Sequence, residues 1–201
     1  MILFELLVSQ FQSNSILELT AVLFAVVYLI LVMRENILCW YAALISTLIF
    51  LIIFWRVQLY MESGLQIYYA AMAFYGWHQW SRGGNQGNGI IITTWSVKTH
   101  FIVVIGILLA TLISGLLLLR TSDAHFPFLD SFTTWASIVT TFMVAKKILE
   151  NWTYWFVIDG ISIFLYLDRG LYFTALLFVA YLIIVVFGFS RWLDEYRRMA
   201  R

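Results

Sequence analysis

The chain has 201 residues, of which 63% are hydrophobic and 11% charged, with a mean hydropathy of +0.90. That is more apolar surface than a soluble core of this size can hide, so lipid is the implied solvent. A formal charge of +1, with no basic stripe standing clear of the apolar runs, argues against a nucleic-acid partner, because nothing is placed to neutralise a phosphate backbone.

A helix that crosses a bilayer takes about 20 mostly apolar residues, and seven such runs follow one another along the chain. Residues Met1 to Ser15 contain no Lys or Arg, so the positive start of a cleavable signal peptide is missing and insertion is expected to rely on the helices themselves. The first run, 16–33, carries Glu18 at one end, where headgroup water solvates a carboxylate. The second, 37–55, holds the lone Cys39, which can form no internal disulfide and is expected to pack as a small apolar residue. The third, 59–80, places Glu62, Gln66 and Tyr69 on one face at i, i+4 and i+7, followed by Tyr75 and His78. Residues 81–98, with a Gly-Gly-Asn-Gln-Gly-Asn-Gly stretch, read as a flexible linker. The fourth run, 99–119, is a connector. The fifth, 128–145, contains Thr141 one turn beyond Ser137, an arrangement that satisfies backbone carbonyls. The sixth, 149–167, contains Asn151, Trp152, Trp155 and Asp159, and the seventh covers 171–192. Rings concentrated at the ends of these runs suit the headgroup level of a membrane.

Seven crossings put the termini on opposite sides. Arg56, Arg120 and Arg169 fall on one side and the other nine Lys and Arg on the opposite side, which predicts an outside N-terminus and a cytoplasmic C-terminus. The chain also repeats itself. Glu35-Asn36 precedes Trp40 as Glu150-Asn151 precedes Trp155, and Leu59-Tyr60, Gly76 and Trp80 recur as Leu171-Tyr172, Gly188 and Trp192, after a small deletion. The expected architecture is a single all-α transmembrane domain over 1–201, with three-helix repeats at 16–80 and 128–192 and a connector helix at 99–119. One helix between two triplets makes the repeats parallel, the SWEET-like arrangement suited to alternating access, with a substrate site near the midplane between them. The repeat as aligned sets Leu44 opposite Asp159.

Ionisable and amide groups inside a bilayer are expensive and point to a pathway. Asn151, Trp155 and Asp159 recur at i, i+4 and i+8 with Trp152 one position over, so one face offers an amide, indoles and a carboxylate. Such a face suits a flat organic cation: an indole contributes roughly 0.5–2 kcal/mol of cation–π attraction and the carboxylate supplies the opposite charge. Trp near a helix end also serves as an interface anchor, and a buried Asp also joins helices. Both readings stand for these residues, and for Gln66, whose amide suits ring nitrogens or hydroxyls as well as a neighbouring helix.

Other chemistry lacks support. His78, His100 and His125 show no metal-ligand spacing, so neither a metal nor a cofactor is expected. No Gly-rich phosphate cradle with its Lys occurs, which leaves a gradient as the source of energy. The last run carries no Lys for a retinal Schiff base. Acid–base work by Asp159 and Glu62 lacks a paired nucleophile. A membrane-embedded enzyme or a subunit of a larger complex is the rival class, distinguished by an absence of solute flux.

The third run, with Gln66, Gly76, Trp77 and Trp80, the sixth, with Lys147, Glu150, Asn151, Trp152 and Trp155, and the Gly188 and Trp192 ending resemble the PnuC-type vitamin transporters over nearly the whole chain. The resemblance implies a three-plus-one-plus-three fold in a bacterial inner membrane. It also implies uptake of a cationic vitamin by facilitated diffusion, with phosphorylation by a separate cytoplasmic kinase retaining it. Ligand contacts are implied for Gln66, Asn151, Trp152 and Trp155. Nicotinamide riboside transporters of the family carry Asn where this chain has Asp159, and many have longer termini or loops. These departures favour thiamine, with nicotinamide riboside as the alternative. The expected partners are thus the lipid bilayer, a small vitamin and the kinase, with the chain acting alone or as a homo-oligomer.

Overall fold

The structure is a computed structural model and describes residues 16–56, 60–83, 89–121, 126–168 and 172–199. Seven helices account for most of them: α1 (Ile16–Met33), α2 (Cys39–Arg56), α3 (Tyr60–Arg82), α4 (Val97–Thr121), α5 (Pro127–Ala145), α6 (Asn151–Asp168) and α7 (Tyr172–Met199). A helix satisfies its own backbone groups, and in lipid that makes it the natural form for such apolar runs. The expected runs agree with these helices to within a few residues, except that α7 continues to Met199. Hydropathy ends at the membrane edge, whereas the helical hydrogen bonds continue through Asp194, Glu195, Arg197 and Arg198. Among the described residues, Val97–Thr121, Pro127–Ala145 and Ala175–Met199 are long and apolar enough to cross a membrane, and Thr20–Met33 and Cys39–Ile53 are shorter apolar stretches. Hydropathy alone under-reads helices such as α3 and α6, which turn buried polar side chains inward.

Helix starts and stops have local causes. Pro127 opens α5, where its missing N–H costs nothing. Ser96 precedes α4, and its Oγ accepts the Thr99 N–H at 3.2 Å. α1 and α5 end in the same way. Glu35 N–H donates to Val32 O (2.9 Å) and Asn36 N–H to Leu31 O (2.9 Å), while Lys147 N–H donates to Val144 O (3.0 Å) and Ile148 N–H to Met143 O (2.9 Å). These are Schellman caps. Their left-handed residues are Glu35 (φ 51) and Lys147 (φ 50), not glycine.

The helices close into a ring. α1 packs on α2, α2 on α3, α3 on α5, α5 on α6, α6 on α7 and α7 on α1, with α4 running along the outside of α5. The outer face of α4 is apolar, with Phe101, Leu109 and Ile113 exposed, as a lipid-facing surface requires. His100 docks the start of α4, its Nδ1 2.9 Å from the Tyr154 hydroxyl and its Nε2 3.8 Å from Glu150.

Four indoles organise the core. Trp40 meets Trp80 edge-on (5.4 Å, 87°), Trp152 meets Trp192 likewise (5.4 Å, 90°), and Trp80 and Trp192 join the two pairs at 6.2 Å. Gly76 leaves the space that the Trp40 ring fills, and Gly188 leaves the space that the Trp152 ring fills. The repeat is therefore visible as matched geometry, but with a different register from the expected one. Glu35 and Lys147, 112 positions apart, match as helix caps. The same separation relates Trp40 to Trp152, Gly76 to Gly188 and Trp80 to Trp192. Trp40 thus corresponds to Trp152, three residues before the expected Trp155, and no deletion is needed. At this register Thr47, not Leu44, stands at the position of Asp159, and Ala43 at that of Trp155.

Candidate substrate-binding site

Many polar groups inside the ring already have partners. Ser46 Oγ donates to Ala21 O across α1 and α2 (2.9 Å), Ser63 Oγ to Leu51 O across α2 and α3 (3.3 Å), and the Tyr68 hydroxyl to Ile138 O across α3 and α5 (2.7 Å). Thr140 and Thr141 donate to Ala136 O and Ser137 O of their own helix (2.7 and 2.8 Å), the carbonyl-satisfying role expected for Thr141. The first three bonds join neighbouring helices, and the protons spent in all five are not free for a ligand, although each hydroxyl oxygen keeps its acceptor lone pairs.

Of the buried polar groups without a partner among the described residues, Thr111 is on α4 and Ser131 on α5, and a further set lies on α6 and α3. Asn151, Trp155, Asp159 and Ser162 form one stripe at i, i+4, i+8 and i+11, with Asn151 and Asp159 only 0% and 3% exposed. Asn151 spends its Nδ2 on Ile148 O (2.6 Å), and its Oδ1 is buried without a donor. Asp159 has neither a hydrogen bond nor an ion pair among the described residues, and the same holds for the amide of Gln66, 9% exposed on α3. On α2, Thr47 is buried at 7% and also lacks a hydrogen bond among the described residues. Trp155 is half-buried and packs against both the Trp-rich core and the smaller cluster of Ile107, Ala136 and Ile158. An unspent amide oxygen, a carboxylate and an indole on one helix, with Gln66 on another, offer acceptors, a negative charge and a π-face to a flat cation.

The other expected site residues are placed differently. Trp152 is 1% exposed, edge-on to Trp192 and seated against Gly188, so its ring fills the α6/α7 contact. Its buried Nε1 lacks a partner, but so does that of its counterpart Trp40. Among the described residues the feature is thus common to both halves. Tyr69 is half-buried beside Tyr68 (5.9 Å). The backbone of Glu62 is helical, but its side chain lies outside the described residues, as do the Glu18 side chain, the middle of the linker (84–88) and His125. Tyr75 stacks on Phe142 (6.1 Å, 12°), and His78 is exposed. Two surface cavities lie elsewhere: one of about 190 Å³ between α2 and α3 at Tyr41, Leu44 and Phe74, and one of about 520 Å³ at Met33, Ser190 and Asp194. Neither is lined by the α6 stripe, whose groups are packed inside the ring. Thr47 was missed from sequence. The 112-residue spacing of the Gly-x-x-x-Trp endings, extended backwards without a gap, would have found it.

Residues 15–194 match the sequence profile of the nicotinamide mononucleotide transporter family. The chain belongs to this family. As a family member it is similar to the nicotinamide riboside transporter PnuC of Escherichia coli (strain K12), with 29% identity over 189 residues, covering 81% of this chain and 79% of that one. It is also similar to the riboflavin/roseoflavin transporter RibM of Streptomyces davaonensis, with 26% identity over 145 residues, covering 70% and 67%. The crystal structure of the vitamin B3 transporter PnuC shares its fold, with a TM-score of 0.74 at 22% identity over 98% of this chain and 88% of that one. The family match, the apolar helices and the shared fold make the chain a multi-pass membrane transporter.

Proposed function

We propose that this transporter takes up a flat, cationic vitamin across a bacterial inner membrane, with thiamine as the first substrate. The Asp159 carboxylate carries the reading. It is buried in a membrane helix with no partner among the described residues, an expensive placement unless the missing partner arrives with the substrate. Trp155, one turn away, supplies the π-face, and Gln66 and Asn151 supply amide groups. Trp152 is assigned to the wall behind them. The N-terminus lies outside and the C-terminus in the cytoplasm, in keeping with the distribution of Lys and Arg. As the resemblance to the PnuC-type vitamin transporters implies, transport is facilitated diffusion, and a separate kinase retains the vitamin by phosphorylating it.

A second reading, nicotinamide riboside, is favoured by the similarity to the Escherichia coli transporter. Both ligands are cations with an aromatic ring, so cation–π attraction does not separate them. Titration of the purified protein with each, followed by quenching of Trp fluorescence, tests the choice. Saturable quenching by thiamine alone supports the first reading, a response to nicotinamide riboside alone replaces it with the second, and silence to both removes the binding assignment. Uptake into liposomes that stops at equal concentrations when valinomycin and symmetric potassium hold the membrane potential at zero, and that is unchanged there by imposed proton or sodium gradients, is the expected sign of facilitated diffusion.

Two substitutions probe the walls. Trp155→Ala is expected to weaken binding tenfold or more, about 1.4 kcal/mol; near-normal affinity in a folded variant takes the indole out of the site. Thr47→Val keeps the shape and removes the hydroxyl, and a loss of about fivefold, roughly 1 kcal/mol, is expected if this hydroxyl faces the ligand opposite Asp159. Unchanged affinity would leave Thr47 as packing.

A further inference from the structure

Two seams join the halves of the ring, α3 with α5 and α7 with α1, and the 112-residue correspondence converts one into the other. Each carries the same bond: Trp80 Nε1–H donates to Val144 O (3.3 Å) and Trp192 Nε1–H to Val32 O (3.1 Å). In other respects the seams differ. At α3/α5 the Tyr68 hydroxyl bonds Ile138 O (2.7 Å), Tyr75 stacks on Phe142, and the Lys147 ammonium lies 4.7 Å from the centre of the Trp80 ring. At the corresponding places in the other seam stand Ala180 for Tyr68 and Ile30 for Phe142, so the hydroxyl bond and the ring stack have no counterpart.

The chain after α3 also forms a strap. Thr93 N–H donates to Lys147 O (3.0 Å) and Thr93 O accepts from Leu149 N–H (2.8 Å), a parallel bridge onto the turn between α5 and α6. Ile92, 2% exposed, is sunk into the Trp-rich core. Gly89 has φ +86 and lies against the Trp80 carbonyl, where a side chain would collide with the backbone. No described segment is laid across α7/α1 in this way. An open surface depression flanks it, beside Met33 at the end of α1 and Phe187, Ser190 and Arg191 of α7.

One ion pair links the helix-end turns of the two halves. Lys147 Nζ lies 2.8 Å from Glu35 Oε2, with the side chains 12% and 22% exposed. Among the described residues these are the two non-glycine residues held in the left-handed conformation, which costs such a residue roughly 1–2 kcal/mol. Glycine would remove the strain at either cap and with it the charge that reaches the other half. Strain that persists where an easier residue is available points to a use for the side chains.

We infer that the halves rock about the strapped α3/α5 seam and part at α7/α1, with Glu35 and Lys147 as the latch that closes this end of the ring between openings. Passage of substrate beside α1 and α7 rests on the transport reading above; the mechanical inequality of the seams does not. Hydrogen exchange on the purified protein in lipid nanodiscs, without substrate, tests it, because the repeat supplies matched amides, with the same cap hydrogen bonds at 34–36 and 146–148. Residues 34–36 and 190–193 are expected to exchange at least tenfold faster than 146–148 and 78–81, respectively. Glu35→Gln is expected to raise the first pair of rates further, by threefold or more, and to leave the second pair within twofold. Equal rates at matched positions, faster exchange at α3/α5, or equal loosening of both seams by Glu35→Gln would overturn the inference. Failure of both vitamins to bind would remove the functional reading without affecting this result.

Discussion

Alanine at Gly76 or Gly188 is expected to destabilise the protein by about 2 kcal/mol or more, because a methyl group at either position enters space already filled by the indole of Trp40 or Trp152. Neither ring has an easy retreat. Trp40 is 3% exposed and edge-on to Trp80, and Trp152 is 1% exposed and edge-on to Trp192, so a displaced ring disturbs the contacts of all four indoles. The loss should appear as a fall in Tm of several degrees in detergent, about 2–4 °C per kcal/mol for a chain of this size. Gly64, Gly106 and Gly160 provide the control, since an added Cβ at each meets nothing within 4 Å. Alanine there should be neutral or slightly stabilising through helix propensity. If Gly76→Ala and Gly160→Ala melt together, the close approach of α2 to α3 is not what that glycine provides.

Asp159→Asn is expected to change binding and stability in opposite directions. Removing the carboxylate takes away the charge complement of a cationic vitamin, and loss of one partner from a buried pair commonly costs 2–5 kcal/mol. Thiamine affinity should therefore fall about 30-fold or more, as read by fluorescence quenching. The vitamin-free protein should melt no lower than the parent, and higher if the carboxylate is charged there, because a buried anion without a protein partner is replaced by a neutral amide. A shift of preference from thiamine toward nicotinamide riboside would show that the carboxylate also selects the substrate. Unchanged affinity for both ligands together with a lower Tm would make Asp159 a helix-joining residue and remove the main support for the cationic substrate.

Much of the architecture could be read from local pattern. Apolar runs of spanning length located the seven helices of the described residues, and the i, i+4, i+8 spacing of Asn151, Trp155 and Asp159 identified the α6 stripe. The distinction between Trp152 and Trp155 was not legible, since both are indoles on adjoining parts of the same face. It depends on which ring meets the bare backbone of Gly188 on α7, a contact between residues 36 positions apart in the chain. The same ambiguity misled the repeat alignment. Glu-Asn followed by Trp occurs in both halves, but only Trp152 occupies the place of Trp40, and the error of three residues placed Leu44 where Thr47 belongs.

The sequence by itself determined that the chain belongs in lipid, where the seven helices of the described residues begin and end to within a few positions, the end of α7 excepted, and which polar residues are costly enough inside them to suggest a pathway. These properties depend on composition and on neighbours within a few turns. Tertiary structure alone decided which polar groups are already spent on partners, as for Ser46 and Tyr68, and which are not, as for Gln66 and Asp159. It also brought Glu35 to Lys147 and laid Thr93 across the α5–α6 turn. Hydrogen bonds and ion pairs between distant segments depend on how the helices pack, and no periodicity within one helix specifies the partner it will meet.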